Sequence, residues 1–161
     1  MRDIDNSQDI MDSRDIIKRL EELTEEHNDL TEAVSDALEA VNNVKNTEGP
    51  TDLDDLDSAT DEHETAVKAL TDWEDDYLED WQNLESFAME LEGYGDWEHG
   101  ETLIRDSYFT EYAEELAKDV CEMSDADCWP FTHIDWEAAA DALKMDYTTG
   151  TFDGVEYWMR A

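Results

Sequence analysis

The chain has 161 residues, with 47 acidic against 10 basic side chains and a formal net charge of −37 at neutral pH. Such an imbalance often accompanies disorder, yet 40% hydrophobic content with 6 Trp, 6 Tyr and 4 Phe supplies apolar surface enough for packed cores. The charge argues against nucleic acid and anionic membranes as direct partners and favours basic surfaces, which it attracts over long range.

The opening stretch, MRDIDNSQDIMDSRD, lacks the apolar core of a signal peptide, and no run approaches the roughly 18 apolar residues of a membrane span. The expectation is a cytoplasmic protein, in the host cytoplasm if the chain is phage-encoded. Cys121 and Cys128 do not make a disulfide framework, and the sequence assigns them no role.

From Ile16 to Val44 the apolar residues keep a seven-residue rhythm. One register holds Ile16, Leu23, Leu30, Ala37 and Val44, the other Leu20, His27, Val34 and Val41. That is a coiled-coil seam broken once by a polar residue, and His27 reads as part of the seam rather than a metal ligand. NTEGPTD, residues 46 to 52, ends the rhythm, and Thr51 or Asp52 is placed to cap the next helix. A second run follows with Leu56, His63, Leu70, Tyr77, Leu84 and Leu91, flanked by Leu53, Val67, Trp81 and Ala88. Two long helices joined by a short turn predict an antiparallel helical hairpin over residues 1–92.

GYGDWEHGE, residues 93 to 101, carries three glycines and reads as the boundary to a second module, 93–161. In SYFTEYAEELAKDVCEM, Phe109, Tyr112, Ala113, Leu116, Ala117 and Val120 make an apolar stripe, with Glu111, Glu114, Glu115, Asp119 and Glu122 on the other side. SDADCWP reads as a loop. Asp135 is placed to cap a short helix whose Trp136, Ala139, Ala140 and Leu143 face inward. Asp153–Gly154 lies between two β-prone runs, a strong hairpin signal. The predicted fold is therefore mostly α: a long antiparallel coiled-coil hairpin followed by a small α+β module that ends in a β-hairpin.

Motifs for chemistry are weak. A general acid needs one carboxyl in an apolar pocket, and carboxylates this abundant single out none. Neither DLDDLDSATDEHE nor SDADCWPFTHIDWE places Gly sixth and Glu twelfth, as a calcium loop requires, which leaves only weak, nonspecific divalent binding. Cys121, Cys128 and His133 lack the tight pairs of a zinc module. HGET and GYG do not match a phosphate-cradling loop. The aromatic residues of the second helix sit on its apolar stripe without a basic groove, so they read as core rather than a base-stacking surface. No catalytic residue, metal or cofactor is expected.

The charge pattern is more informative. In TDWEDDYLEDW, residues 71 to 81, a helix at about 100° per residue puts Asp72, Asp75, Asp76, Glu79 and Asp80 in one arc. Leu70, Trp73, Tyr77, Trp81 and Leu84 lie opposite. Like charges three and four apart cost a helix roughly 0.2–0.5 kcal/mol per pair. Residues 52–92 hold 16 acids and the one base Lys68, and residues 9–45 hold 11 acids and 4 bases, giving −15 and −7. Along a helix roughly 60 Å long the hairpin carries one negative charge per roughly 2.7 Å. Two hairpins side by side in a homodimer reach roughly one per 1.4 Å, against about 1.7 Å for duplex DNA. DNA mimicry is one reading. The rival is a solvated acidic coiled coil, a chaperone or interaction protein for basic partners, with a surface adapted to high salt; five lysines and an excess of Asp (25) over Glu (22) suit that rival.

The last third adds a resemblance. The acidic helix FTEYAEELAKD, the segment IDWEAAADALKMDY and the closing FDGVEYWMR resemble acidic phage proteins of the ArdA-type antirestriction family over about residues 93–161. Members of that family are elongated dimeric mimics of duplex DNA that occupy the DNA-binding site of Type I restriction-modification enzymes. The resemblance implies an antirestriction role, with Glu111, Glu114, Glu115, Asp119, Asp135, Glu137, Asp141 and Asp146 supplying phosphate-like charge. The expected partner is the DNA-binding protein of a host restriction or CRISPR-type defence system. The first 92 residues do not share the likeness.

Overall fold

The computed structural model describes residues 4–46, 52–120, 129 and 131–161. Residues 47–51, Cys121, Cys128, Glu122 and most of the segment 124–130 lie outside the described residues. The chain runs β1 (Ile10–Asp12), α1 (Ser13–Lys45), α2 (Leu53–Leu91), β2 (Thr102–Arg105), α3 (Phe109–Val120), α4 (Trp136–Leu143), β3 (Tyr147–Phe152) and β4 (Val155–Arg160), with short 3-10 turns between the later elements. It is mostly helical and ends in a β-hairpin, as the sequence predicts. No helix among the described residues is long and apolar enough to cross a membrane.

Two compact units form, residues 20–82 and residues 1–19 with 83–161. The division differs from a boundary at residue 92. The reason is β1, a strand of three residues too short to show alternation, which pairs antiparallel with β2 and so places the first residues of the chain in the second unit. Ser13, fully buried, fastens this junction. Its Oγ donates to the Trp97 carbonyl at 2.7 Å and accepts from the Glu101 N–H at 2.8 Å. The glycine-rich stretch around Trp97 is thus packed into the unit rather than acting as a linker, with Trp97 itself buried.

In residues 20–82 the first helix follows its seam, with Leu23 and Val41 buried and Leu20, His27, Leu30, Val34, Ala37 and Val44 partly so. Trp73 donates through Nε1 to Glu26 Oε2 at 3.1 Å, and Trp81 Nε1 to Thr24 Oγ1 at 3.2 Å. These bonds run antiparallel across the hairpin. His27 lies between the two indoles, 5.2 Å from Trp73 and 5.0 Å from Trp81. It completes an aromatic cluster, a filled seam position as the sequence suggests.

The second helix keeps its predicted run at Leu56, His63, Leu70, Trp81, Leu84, Ala88 and Leu91 and departs from it at three positions. Leu53, Val67 and Tyr77 are exposed, at 71%, 40% and 38%, while Ala59 and Trp73 are buried. The inward positions run 56, 59, 63, 66, 70, 73, then 77, 81, 84, 88, 91. Two consecutive four-residue steps interrupt the heptad, the spacing of a stutter. Tyr77 sits at that point and is left half out of the core. Asp52 performs the capping expected of it, its carboxylate accepting from the Asp54 N–H at 3.0 Å.

The second unit is built on a four-stranded antiparallel sheet, order β1-β2-β4-β3. Side chains alternate across a strand, and this sheet uses both faces. On one face Phe87 of α2 stacks on Phe152 and meets Tyr157 edge-on. Gly150 lies so close that a Cβ there would stand 2.9 Å from Leu91 and Phe87. On the other face Ile104, Phe109, Ala113 and Ala140 form a core with Tyr112, Leu143, Tyr147 and Trp158 packed against it. Asp153 and Gly154 both have positive φ, 44° and 74°, as a two-residue type I′ turn requires.

Candidate functional site

Amphipathic helices that bury one stripe must present the other to water, and in residues 20–82 the charged side chains of that second stripe are almost all acidic. The segment as a whole holds twenty-two acids and two bases, Lys45 and Lys68, a net charge of −20. Asp72, Asp75, Asp76, Glu79 and Asp80 are all exposed. The structure extends the set in a way the sequence reading missed. Asp54, Asp57, Asp61, Glu64, Asp72, Asp75 and Glu79, each exposed, advance in steps of three and four along the back of α2, about 4.5–6 Å of axis per step. One position of this row, 68, is a lysine, and it pairs with Asp72. The same i, i+3, i+7 count that identified the five central acids identifies the whole row.

The back of α1 is finished alike, with Glu21, Glu25, Asp29, Glu32, Asp36 and Glu39 exposed. Over the roughly 45 Å of helix from Leu53 to Gln82, this unit presents about one net charge per 2.3 Å, close to the roughly 1.7 Å of duplex DNA. A single hairpin approaches the duplex value without a second copy.

The carboxylates singled out in the second unit are less uniform. Glu111, Asp119, Glu137, Asp141 and Asp146 are exposed. Glu114 is half-buried and holds Lys118 Nζ at 2.7 Å. Glu115 accepts from the Tyr108 hydroxyl at 3.0 Å, which pushes that phenol up from its ordinary value. Asp135 caps α4, Oδ1 accepting from the Ala138 N–H at 3.1 Å, so part of its hydrogen-bonding capacity serves the fold. Glu114, Glu115 and Asp135 are therefore local structural partners as well as surface charge.

Asp106 was not foreseen. It accepts from Lys144 Nζ at 2.6 Å and Trp158 Nε1 at 2.8 Å, and Lys144 lies 4.6 Å from the Trp158 ring centroid. The Lys144 hydrogen bond, followed by that of Trp158, holds the Asp106 carboxyl below the usual carboxylate range. This knot pins the segment after α4 to β4. No sequence signal pairs residue 106 with 144, since the contact depends on the fold.

Among the described residues no group of three or more His, Cys, Asp or Glu is placed to hold a metal ion. A hollow of about 340 Å³ in the second unit is lined by Met11, Ile16, Asp12, Asp15, Lys18 and Arg19, among others. It mixes both signs of charge with apolar side chains and converges no catalytic pair. The arrangement as a whole presents a polyanion. Comparison with known proteins gives no match to a family model, to a curated protein or to a solved structure.

Proposed function

We propose that the chain is a DNA mimic that inhibits a DNA-binding defence enzyme of its host by occupying the DNA site. Carboxylates take the place of phosphates and engage the Lys and Arg side chains of the target's groove. The observation that carries this reading is the row on α2 with the matching acidic back of α1, whose combined charge per length lies near that of a duplex. A solvated surface needs acidity for solubility, but it has no need to keep cations out of nearly every outward position while tolerating like-charge repulsion. Type I restriction-modification enzymes are the first target class to test, given the resemblance of residues 93–161 to ArdA-type proteins. A CRISPR-type effector is the second.

The test is capture of targets from a bacterial lysate on the immobilised chain, with elution by duplex DNA and identification by mass spectrometry. Mimicry predicts that DNA releases the target and that affinity falls steeply with salt, as for DNA itself. Replacing Asp72, Asp75, Asp76, Glu79 and Asp80 by Asn or Gln should weaken inhibition with the helical content unchanged. A captured partner that keeps its DNA while bound would instead identify an acidic chaperone for basic proteins. Full inhibition by the five-site variant would remove the assignment to this helix.

A further inference from the structure

β1 is an edge of the sheet, and two backbone bonds fix its phase. The Arg105 N–H donates to the Asp9 carbonyl and the Ser13 N–H to the Glu101 carbonyl, each at 2.9 Å. Bonded and non-bonded pairs alternate along an antiparallel ladder. Met11 therefore bonds to Leu103, while Ile10 and Asp12 direct their backbone groups away from β2. Asp12 leads straight into α1, which leaves Ile10 as the edge residue with an outward N–H and C=O. Among the described residues no loop or side chain takes these two groups up.

That edge borders the hollow of about 340 Å³, a size usual for a small binding site. Ile4, Ile10 and Ile16 give it an aliphatic wall, and Ile10 is 46% exposed. Ile4 precedes the strand, and Lys18 and Arg19 lie more than a turn into α1, yet all three line one hollow. The helix therefore doubles back along the strand, and charge is ordered along the groove between them. Asp15 lies near the start of the helix, and the two bases lie toward Ile4. Asp12 is engaged by Arg14, whose backbone N–H and Nε each reach its Oδ1 at 2.9 Å. Ile10–Arg19 holds three bases and two acids, a net charge of +1 in a chain of −37.

We infer that this groove binds the C-terminal end of an extended peptide, laid antiparallel to β1 with its terminal carboxylate at Lys18 and Arg19. One residue of the peptide exchanges two hydrogen bonds with Ile10. Its last side chain, an aliphatic one, packs on Ile4, Ile10 and Ile16, and a Lys or Arg upstream meets Asp15. Three features select this occupant. The outward backbone pair of Ile10 matches an amide, as in strand addition. The bases match an anion, in a stretch whose local charge is positive. The turn that joins Asp5 to Gln8 folds Ile4 across the end of the groove, so a strand passing Ile10 stops there and a chain terminus supplies the anion. Lys18 and Arg19 already interact within the chain, and the carboxylate shares them. The site uses none of the acids of residues 20–82 and does not depend on the DNA-mimic reading.

The test is an array of hexapeptides with free C-termini, randomised at the last four positions and probed with the full chain, followed by fluorescence anisotropy on the selected peptide. The expected selection is Val, Leu or Ile at the last position with Lys or Arg upstream. The same peptide made as its C-terminal amide should bind about tenfold or more weakly, because a hydrogen bond to a charged group is lost. N-methylation of successive peptide amides should find one position with a similar loss, the amide that faces Ile10. The double variant Lys18→Gln, Arg19→Gln should lose affinity by a similar factor with its circular dichroism unchanged. No selected peptide, an amide that binds as well as the acid, or a folded double variant that binds like the parent would overturn the proposal. Isovalerate that binds as tightly as the peptide would also overturn it, by showing a site for a small acid. If the double variant does not fold, the acid and amide forms of the peptide on the parent chain decide.

Discussion

Residues 20–82 and the sheet-bearing unit share a composition and a surplus of acid, but they reach stability by different routes. The hairpin has one apolar seam, with Leu23, Val41, Ala59 and Trp73 its buried residues, and every outward position is free to carry charge. The sheet is covered on both faces and buries Phe87, Leu91, Leu103, Ile104, Phe109, Tyr157 and Met159 to 0%. It must also close with specific polar contacts such as the Asp106–Lys144–Trp158 knot. The difference shows what a dense charged surface requires: a scaffold with a thin core and much outward face. Stability in the hairpin should therefore depend on ionic strength, and stability in the sheet on packing.

The sharpest test of that division is Phe87→Ala. The side chain is fully buried between Phe152 and Tyr157, and its loss should cost about 3–5 kcal/mol, read as a lower urea midpoint in the emission of Trp97 and Trp158. If the loss stays below about 1 kcal/mol, the sheet does not depend on that face as described. Gly150→Ala should follow at about 1–3 kcal/mol, because the added Cβ overpacks Leu91 and Phe87. Here Gly→Ala would otherwise stabilise a strand, so the sign of the change decides between space and backbone freedom.

The hairpin should respond in the opposite sense to removal of polar groups. The five acids of residues 72–80 make five like-charge neighbours: Asp72 with Asp75 and Asp76, Asp75 with Glu79, and Asp76 with Glu79 and Asp80. Neutralising them should raise helix stability by about 1–2.5 kcal/mol, less whatever Asp72 gains from Lys68, and molar salt should shrink the gain. A variant that is both more stable and a poorer inhibitor would show that the repulsion is retained for function. A loss of stability would show that the row supports the fold.

The smallest expected effects are in pH. Tyr147 is pushed well above the ordinary phenol value, first by burial and then by its hydrogen bond with Tyr112, and burial raises Tyr157 as well. A folded value above the unfolded one gives stability that is complete below the unfolded value, near 10, and is lost as pH rises beyond it. Tyr147→Phe should flatten the alkaline limb of a denaturation profile. Asp106 works in the other direction: its depressed value gives stability present above the ordinary carboxylate range and lost as pH falls through the folded value. Asp106→Asn should remove that part of the acid limb.

Much of this architecture was legible in the residues. The seam from Ile16 to Val44, the cap at Asp135 and the Asp153–Gly154 turn each follow from local spacing, and the structure has all three. The run of α2 through Leu56, His63, Leu70, Leu84 and Leu91 was legible too, but its flank was not, because Leu53 and Val67 fit a heptad as well as Ala59 and Trp73 do. Only the partner helix decides which flanking positions turn inward, and it takes Ala59 and Trp73. The strands β1 and β2 were missed because three or four residues carry no period, and their pairing joins positions about 90 residues apart. The acidic row was visible in its centre, and its continuation through Asp54, Asp57, Asp61 and Glu64 required only that the count be carried on. The knot at Asp106 could not be read, because nothing local couples it to Lys144.

The pairing of β1 with β2, and of β2 with β4, has a consequence for synthesis. Asn6 bonds through its side-chain amide to the carbonyl and carboxylate of Asp153, so the seating of the first strand is not complete until residue 153 and β4 have left the ribosome. Residues 20–82 have no such dependence, and helical hairpins with near-neighbour contacts form quickly. The nascent chain therefore exposes a folded polyanion while its apolar strands are still waiting for one another. That order keeps the slow-assembling part tethered to a segment of net charge −20 for as long as its strands are unpaired.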